Sequence, residues 1–233
     1  KAVEDFNELC DTITEIGNYR KLENPPITGY EFHVIQLCTL TCPKDLILPY
    51  LRETLQELRE RKPDPKPWYR ARVLIAGSEI DDPAFTKLIE DCGAMVVADR
   101  YCYGSLPGRE QIEILDGETP LRAVARHYLR TSQCPRFMER ARSDGRRTYI
   151  RDLCREYGAD GVLYEQMKFC TYWSYERVIA NQVMPRDYGI HILSIDRPYI
   201  AGQSGQLRTR VQAFVESLSL IHISEPTRQA EIS

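Results

Sequence analysis

Apolar residues recur at helical spacing along the first sixty residues of the chain. In the first predicted helix they are Val3, Phe6, Leu9, Cys10 and Ile13, which would share one face of a helix. The pattern predicts two further helices, over residues 30–40 and 43–62. Pro49 lies inside the third helix and predicts a kink or a division there, because proline removes a backbone hydrogen bond.

From residue 70 onward, short apolar runs alternate with helical segments. Asp82–Pro83 and Thr119–Pro120 are typical helix starts, and Gly158 is a typical helix end. The apolar runs predict strands over residues 72–77, 94–98, 161–164 and 190–195. This alternation indicates an α/β fold: a mostly parallel sheet with helices on both faces, in a flavodoxin-like or Rossmann-like three-layer arrangement.

Two segments bound this α/β region. Three prolines fall between Lys62 and Trp68 and predict a stiff, non-helical connector. We therefore divide the chain into a helical segment, residues 1–66, and an α/β domain, residues 67–218. The tail, residues 219–233, should not continue the last helix, predicted over residues 203–218, because Pro226 would break it. The tail resembles the translated read-through of a sequencing adapter, so we expect it to be non-native.

Composition narrows the classes of protein that fit. Of 233 residues, 28% are charged and the formal net charge is −3, so no overall basic field indicates nucleic-acid binding. No apolar run approaches the roughly 18 residues of a membrane span. The eight cysteines are too sparse for a disulfide scaffold, and nothing suggests secretion. We therefore expect reduced thiols in a cytoplasmic protein.

Ligands of open parallel sheets bind beyond the carboxyl ends of the strands. Two of the four predicted loops at that edge carry a cysteine, Cys102 after the second strand and Cys170 after the third. Cys92 and Cys154 lie on or beside helices and are expected to be ordinary buried thiols, whereas Cys134 is undecided. From the residues alone, Cys102 and Cys170 are either packed thiols or functional ones. No CxxC motif and no ligand-spaced histidine pair completes a metal site.

A glycine-rich turn precedes the last predicted helix. Its residues Ser204, Gly205 and Gln206 are candidates for substrate binding, because free backbone N–H groups at a helix start can hold an anion or a carbonyl oxygen. Arg208 and Arg210 add positive charge nearby. The alternative is a flexible entry to a solvated basic helix face. No phosphate-binding glycine motif or GxSxG elbow is present.

Four stretches together resemble those of a known family. They are residues 73–83, residues 96–99 leading into 102–105, residues 167–170, and residues 205–214. In this order they are similar to subunits of the 2-hydroxyacyl-CoA dehydratase and benzoyl-CoA reductase family, in particular to the D component of 2-hydroxyglutaryl-CoA dehydratase. The resemblance covers roughly residues 1–218.

The resemblance implies an oxygen-sensitive iron–sulfur enzyme. Each subunit of such an enzyme holds a [4Fe-4S] cluster through three cysteines, and the matching positions here are Cys102 and Cys170. The third ligand is expected upstream of Lys1, in an N-terminal domain to which residues 1–66 would connect. No individual catalytic residue is assigned. The family also suggests an apolar shell around the two ligands, for which the nearby aromatics are candidates: Tyr101, Tyr103, Phe169, Tyr172 and Trp173.

The implied activity is the removal of water from a 2-hydroxyacyl-CoA through a ketyl radical. The implied partners are the acyl-CoA substrate, a homologous second subunit that forms a heterodimer, and an ATP-dependent iron–sulfur activator protein. Two alternatives stay open. A benzoyl-CoA-reductase-type subunit is one, because Thr171–Tyr172 replaces the Asp-Pro that often follows the last cysteine in dehydratases. A non-catalytic partner subunit of the same fold is the other.

Overall fold

The computed structural model describes residues 1–63, 68–199 and 204–230 of the chain, with the side chains of Ser204 and of residues 221–230 left aside. The first sixty residues form three helices, α1 (Ala2–Asn18), α2 (Gly29–Thr41) and α3 (Lys44–Glu60), and a 3-10 turn (Tyr19–Lys21) follows α1. Thr28 begins α2 with a capping box, in which its hydroxyl accepts from the Glu31 backbone N–H and the Glu31 carboxylate accepts from the Thr28 N–H.

A kink or a division was predicted at Pro49, and the division is wrong. Helix α3 runs as one element from Lys44 to Glu60 through Pro49. Its apolar face is buried against α1 and α2, through the side chains of Leu48, Leu51, Leu55 and Leu58. Packing of this face offsets the single backbone hydrogen bond that proline removes.

Four strands form one sheet, in the spatial order β2-β1-β3-β4. They are β1 (Ala71–Gly77), β2 (Ala94–Tyr101), β3 (Gly161–Met167) and β4 (His191–Arg197), and every neighbouring pair is parallel. The helices that follow are α4 (Pro83–Asp91), α5 (Pro120–Thr131), α6 (Arg140–Tyr157), α7 (Thr171–Tyr188) and α8 (Ser204–Ala230). The predicted parallel α/β architecture is confirmed.

The two faces of the sheet bury separate apolar layers. One face packs against α4 and α8, where Ile89 meets Val211 and Val215. The other face packs against α6 and α7, where Ile150 and Trp173 are buried. Cys92 lies in the first layer and Cys154 in the second, so both are the buried thiols that their positions predicted. Helices cover both faces, as expected for a three-layer fold.

The helical segment docks on the edge strand β2 through buried polar groups. The Glu90 carboxylate accepts hydrogen bonds from the backbone N–H groups of Gly29 (2.7 Å), Tyr30 (3.0 Å) and Val96 (3.3 Å). The Arg20 side chain is buried against the same strand, where its Nη2 lies 3.4 Å from Asp99 Oδ1. The bond from the Val96 N–H pairs one backbone donor on the open edge of the sheet, which would otherwise lack a partner. The predicted domain boundary falls between α3 and β1, where residues 64–67 lie outside the described ranges.

The end predicted for the last helix is wrong. The backbone of α8 remains helical from Ser204 to Ala230, through Pro226, although the sequence predicted a stop near residue 218. Proline has a helix-compatible φ and removes only one backbone hydrogen bond, which does not require the helix to end. Among the described side chains of α8, Leu218 is the last in the apolar layer of the sheet. That the tail is non-native stays a prediction.

Candidate functional site

The side on which the chain adds strands to the sheet changes between β1 and β3, and this switch point lies at the carboxyl ends of these two strands. From β1 the chain passes through α4 to β2 on one side, then crosses through α5 and α6 to β3 on the other side. The connections therefore diverge between β1 and β3, which leaves a crevice where ligands of such sheets bind. Residues just beyond these strand ends are the first candidates for function.

Ser78, directly after β1, links the loops that carry both predicted site cysteines. Its carbonyl oxygen accepts from the Cys102 N–H at 2.9 Å, and its hydroxyl oxygen accepts from the Met167 N–H at 2.5 Å. The Met167 carbonyl in turn accepts from the Cys170 N–H at 3.0 Å. One serine thus positions the Cys102 loop and the Cys170 loop against each other. It could not be singled out from the sequence, because its partners depend on strand order.

Gly77 makes this arrangement possible. Its φ is +149°, and a Cβ built on it would lie 2.0 Å from the Glu165 carbonyl oxygen. No side chain fits that gap, so the backbones of β1 and β3 can approach here only because residue 77 is glycine.

Glu165 is a fully buried carboxylate at the same edge. Its Oε2 accepts from the Ser78 hydroxyl at 2.8 Å and from the Ser78 N–H at 3.1 Å, and its Oε1 lies 2.9 Å from Arg197 Nε. Burial raises the pKa of Glu165 to about 7, although Arg197 and Ser78 act in the opposite direction. Near neutral pH this group therefore exists in both protonation states, which is a property of many functional carboxylates.

Cys102 follows β2 directly and is partly buried. The indole N–H of Trp173 donates to its sulfur at 3.4 Å. Burial raises the pKa of the Cys102 thiol to about 12, against the Trp173 hydrogen bond, and the charges of Glu79, Cys134 and Cys170 add to the rise. Without a cation the residue is a neutral thiol, and a bound metal would compensate the cost of the thiolate.

Cys170 is the residue that begins α7, and its carbonyl accepts from the Ser174 N–H at 3.0 Å. The preceding residue, Phe169, has φ +73° and a side chain that is 98% exposed. A left-handed backbone costs a non-glycine residue roughly 1–2 kcal/mol. Strain of this kind concentrates at functional sites, and here it shapes the turn that presents Cys170.

A metal site at the two cysteines would need further ligand-type side chains nearby. Cys134 and Cys170 both lie near enough to Cys102 for their charges to raise the pKa of its thiol. Within residues 1–63, 68–199 and 204–230, however, three or more histidine, cysteine, aspartate or glutamate side chains nowhere form a group that could hold a metal ion. That Cys102 and Cys170, on neighbouring loops, are two metal ligands stays a prediction. A cluster held by three or four thiolates would need at least one more.

Comparison with known proteins identifies the family. The family model for the D component of 2-hydroxyglutaryl-CoA dehydratase matches residues 1–218. The chain belongs to this family. The recognition of the family from its four sequence stretches is confirmed.

Three relatives are dehydratase subunits by name. The (R)-phenyllactyl-CoA dehydratase beta subunit of Clostridium sporogenes is 25% identical over 221 residues, which cover 94% of this chain and 56% of the relative. The dehydratase subunit YjiM of Escherichia coli K12 is 26% identical over 207 residues, 85% of this chain and 51% of the relative. The lactoyl-CoA dehydratase subunit beta of Anaerotignum propionicum is 26% identical over 159 residues, 66% and 40% respectively. The chain spans about half the length of the relatives it matches.

The predicted substrate-binding residues lie at the start of α8. Ser204 is the first residue of the helix, and its side chain is outside the described part of the chain. Gly205 and Gln206 are exposed, and a Cβ added at Gly205 would meet no atom of the described residues within 4 Å. The guanidinium groups nearby are directed to protein groups: Arg208 lies 3.8 Å from Asp91, and Arg210 donates to the Ser194 carbonyl. Substrate binding at these residues stays a prediction.

The five aromatic residues expected around the cysteines differ in their placement. Trp173 is buried against Cys102. Tyr101 is buried on the other side, with its ring 5.4 Å from that of His33. Phe169, Tyr103 and Tyr172 are exposed. Of the five, Trp173 thus contacts a candidate ligand, and an apolar shell that includes the three exposed rings stays a prediction.

No helix in the described ranges is long and apolar enough to cross a membrane.

Proposed function

We propose that this chain is part of the iron–sulfur subunit of a 2-hydroxyacyl-CoA dehydratase, in which Cys102 and Cys170 are cluster ligands. The observation that carries the proposal is the position of Ser78, which joins the two cysteine loops at the switch point of the sheet. The family match over residues 1–218 supports the same assignment.

The protein groups around the two thiols suit a metal centre. Trp173 donates a hydrogen bond to the Cys102 sulfur, and such bonds to ligand sulfurs tune reduction potential. Because burial raises the pKa of Cys102 to about 12, ligation would release a proton from this thiol. When bound, a [4Fe-4S] cluster would supply the low-potential electron that removal of an unactivated hydroxyl group requires. A third thiolate would come from outside the Cys102–Cys170 pair.

The names of the relatives support the substrate class. Phenyllactyl-CoA and lactoyl-CoA, named in two of them, are both 2-hydroxyacyl thioesters. We extend this class to the present chain, with loss of the 2-hydroxyl group as water. The same two relatives are named as beta subunits, which supports a heterodimer with a second, homologous subunit. A cytoplasmic location and an ATP-dependent iron–sulfur activator protein complete the proposal.

One observation favours a second candidate function. Thr171–Tyr172 follows Cys170, where dehydratases of the resembling family often have Asp-Pro. This difference is compatible with a benzoyl-CoA-reductase-type subunit. We rank it second because the three relatives are dehydratase subunits by name. A non-catalytic partner subunit of the same fold ranks third.

Iron analysis after anaerobic purification tests the ligand assignment. The protein is co-produced with its partner subunit, and iron and sulfide are measured with the EPR spectrum of the reduced sample. Cys170→Ala should remove most of the iron and sulfide, because a cluster that loses one of its few thiolates is poorly retained. Cys42→Ala is the matched control, since Cys42 ends α2 in the helical segment and should leave the iron content unchanged.

The proposal fails if Cys170→Ala keeps its full iron and sulfide content. One equivalent of zinc without iron would instead indicate a structural metal site. Assays of 2-hydroxyacyl-CoA and benzoyl-CoA with the same preparation separate the first candidate function from the second. Inactivity of a fully loaded complex on both substrates would favour the non-catalytic partner subunit.

A further inference from the structure

A second polar cavity lies on the other side of the Cys102 loop. It has a volume of about 220 Å³ and lies between α1, the end of β2 and α6. Its charged lining comprises Arg20, Arg100 and Arg109 with Asp99, Glu110 and Glu156. None of the residues that form the cysteine edge, namely Ser78, Glu165, Cys102 and Cys170, is part of this lining, so the two places are distinct.

Arg100 is a buried cation that forms no salt bridge in the described part of the chain. Its residue is 2% exposed. Its Nε donates to Gln133 Oε1 at 3.0 Å, its Nη1 donates to the Ser105 carbonyl, and its guanidinium carbon lies 4.1 Å from the centre of the Tyr149 ring. These partners are neutral, and Nη2 has no acceptor among the residues that the structure describes. An uncompensated buried charge costs several kcal/mol.

Two further guanidinium groups share a single buried carboxylate. Asp99 Oδ1 lies 3.4 Å from Arg20 Nη2 and 3.7 Å from Arg109 Nη2. Arg20 is as deeply buried as Arg100, and within the described ranges its Nε also lacks an acceptor. Three arginines and one buried carboxylate therefore leave a surplus of two positive charges in the inner part of the cavity.

The other acidic residues do not cancel this surplus. Glu110 and Glu156 are both exposed, so water screens their charges. Glu156 is in addition paired with Lys21, whose Nζ lies 2.5 Å from its Oε1. The inner end of the cavity thus remains positive, and two guanidinium nitrogens of its lining, Arg100 Nη2 and Arg20 Nε, have no acceptor among the described residues.

We propose that this cavity is a binding site for a phosphate-sized oxyanion, held by Arg100 and Arg20 with Arg109. A doubly charged tetrahedral anion matches the surplus of two charges, and guanidinium forks bind such oxygens in pairs. The hydroxyl groups of Thr14 and Tyr149 and the amide of Asn18, which also line the cavity, can donate to the remaining oxygens. The volume lies below the ~300–1,000 Å³ of drug-sized pockets, which suits inorganic phosphate or one phosphoryl group of a larger ligand.

Isothermal titration calorimetry of the full chain tests the site. Potassium phosphate is titrated at constant ionic strength, with potassium chloride as the balance. We expect saturable one-to-one binding that weakens at least tenfold in Arg100→Gln. Arg130→Gln is the matched control, because Arg130 is exposed on α5 and does not line the cavity, and its binding should equal that of the unchanged chain.

A second variant keeps the test decisive if Arg100→Gln folds poorly. Leu153 lines the cavity from α6, and Leu153→Phe would fill the space while keeping every arginine. It should lose phosphate binding with an unchanged circular dichroism spectrum. Adenosine 3′,5′-bisphosphate distinguishes the source of the anion: saturable binding of this compound without binding of inorganic phosphate assigns the site to a phosphoryl group of a larger ligand. The proposal is wrong if neither compound binds saturably, or if Leu153→Phe binds as tightly as the unchanged chain.

Discussion

Asp99 and Glu165 are two carboxylates buried toward the carboxyl edge of one sheet, both next to arginine, yet their pKa values are shifted in opposite directions. Burial is the largest influence on each and would raise both values. At Asp99 four partners outweigh the effect of burial and lower the pKa. They are the guanidinium groups of Arg109 and Arg20, the Ser105 N–H and the Gln36 amide. At Glu165, Arg197 and Ser78 do not outweigh burial, and the pKa rises to about 7.

The opposite pKa shifts separate a carboxylate that stays charged and has a structural role, Asp99, from one whose charge changes near neutral pH, Glu165. Asp99 remains ionised and ties the helical segment to strand β2 through Arg20 and Gln36. Glu165 joins β1 to β3 through Ser78, beside the loops of the two cysteines, and can gain or lose a proton near neutral pH. The number of cationic and N–H partners, more than depth, decides which of these a buried carboxylate becomes.

Asp99→Asn is expected to have the largest effect. The amide has the same shape but no charge, so the guanidinium groups of Arg20 and Arg109 would stay buried without their counter-ion. Loss of one partner from a buried ion pair costs about 3–5 kcal/mol. Urea denaturation should show this decrease in the free energy of unfolding, whereas Asp116→Asn, at an exposed position, should stay close to the unchanged protein. A decrease in the free energy of unfolding below about 1 kcal/mol would show that the charge of Asp99 has little structural role. The contrast with Glu165 would then disappear.

Glu165→Gln should change the dependence of stability on pH. The folded protein holds the Glu165 proton more tightly than the unfolded chain, because the pKa rises from 4.5 to about 7 on folding. The contribution of Glu165 to stability therefore falls as pH rises between these two values, by an amount on the order of 3 kcal/mol. Glutamine has no such proton.

The measurement is the free energy of unfolding of both proteins across that window. The difference, unchanged protein minus variant, should decrease as the pH rises from 4.5 to about 7 and be constant outside this range. Parallel curves for the two proteins would mean that Arg197 keeps Glu165 ionised, and the contrast with Asp99 would disappear.

Phe169→Gly should have the smallest effect on stability. It tests whether the turn before Cys170 stores backbone strain that the region around Asp99 lacks. Phe169 has φ +73° and an exposed side chain, so replacement removes little packing. Because glycine adopts this backbone conformation freely, the Phe169→Gly variant should be more stable than the Phe169→Ala variant by about 1 kcal/mol. Thermal or urea unfolding of the two variants gives the value. A glycine variant less stable than the alanine variant would show that the turn before Cys170 is not strained.

The parts of the structure that the sequence predicted are those with local causes. Asp82–Pro83 begins α4 and Gly158 ends α6, because caps depend on neighbouring residues. Cys102 and Cys170 follow β2 and β3 as expected, because strand ends can be located from apolar runs. Predictions that used only local signals failed where packing decided, as at Pro49 in α3.

The rest of the candidate site depends on which strands are neighbours. Ser78 and Glu165 are 87 residues apart in the chain, and nothing near Ser78 indicates that its hydroxyl would serve β3. The same holds for Arg20 and Asp99, 79 residues apart. Their pairing requires that α1 end beside the edge strand, and that position follows from the whole fold.

The hydrogen bond between Trp173 and Cys102 gives the candidate site an optical reporter of its own. The chain has two tryptophans, and the other, Trp68, is partly exposed before the amino end of β1. The short-wavelength component of the protein's fluorescence therefore comes from the buried indole beside the thiol. A metal centre, an oxidant or an alkylating agent that reaches Cys102 would quench or shift this emission, so occupancy of the site can be followed in solution without any label.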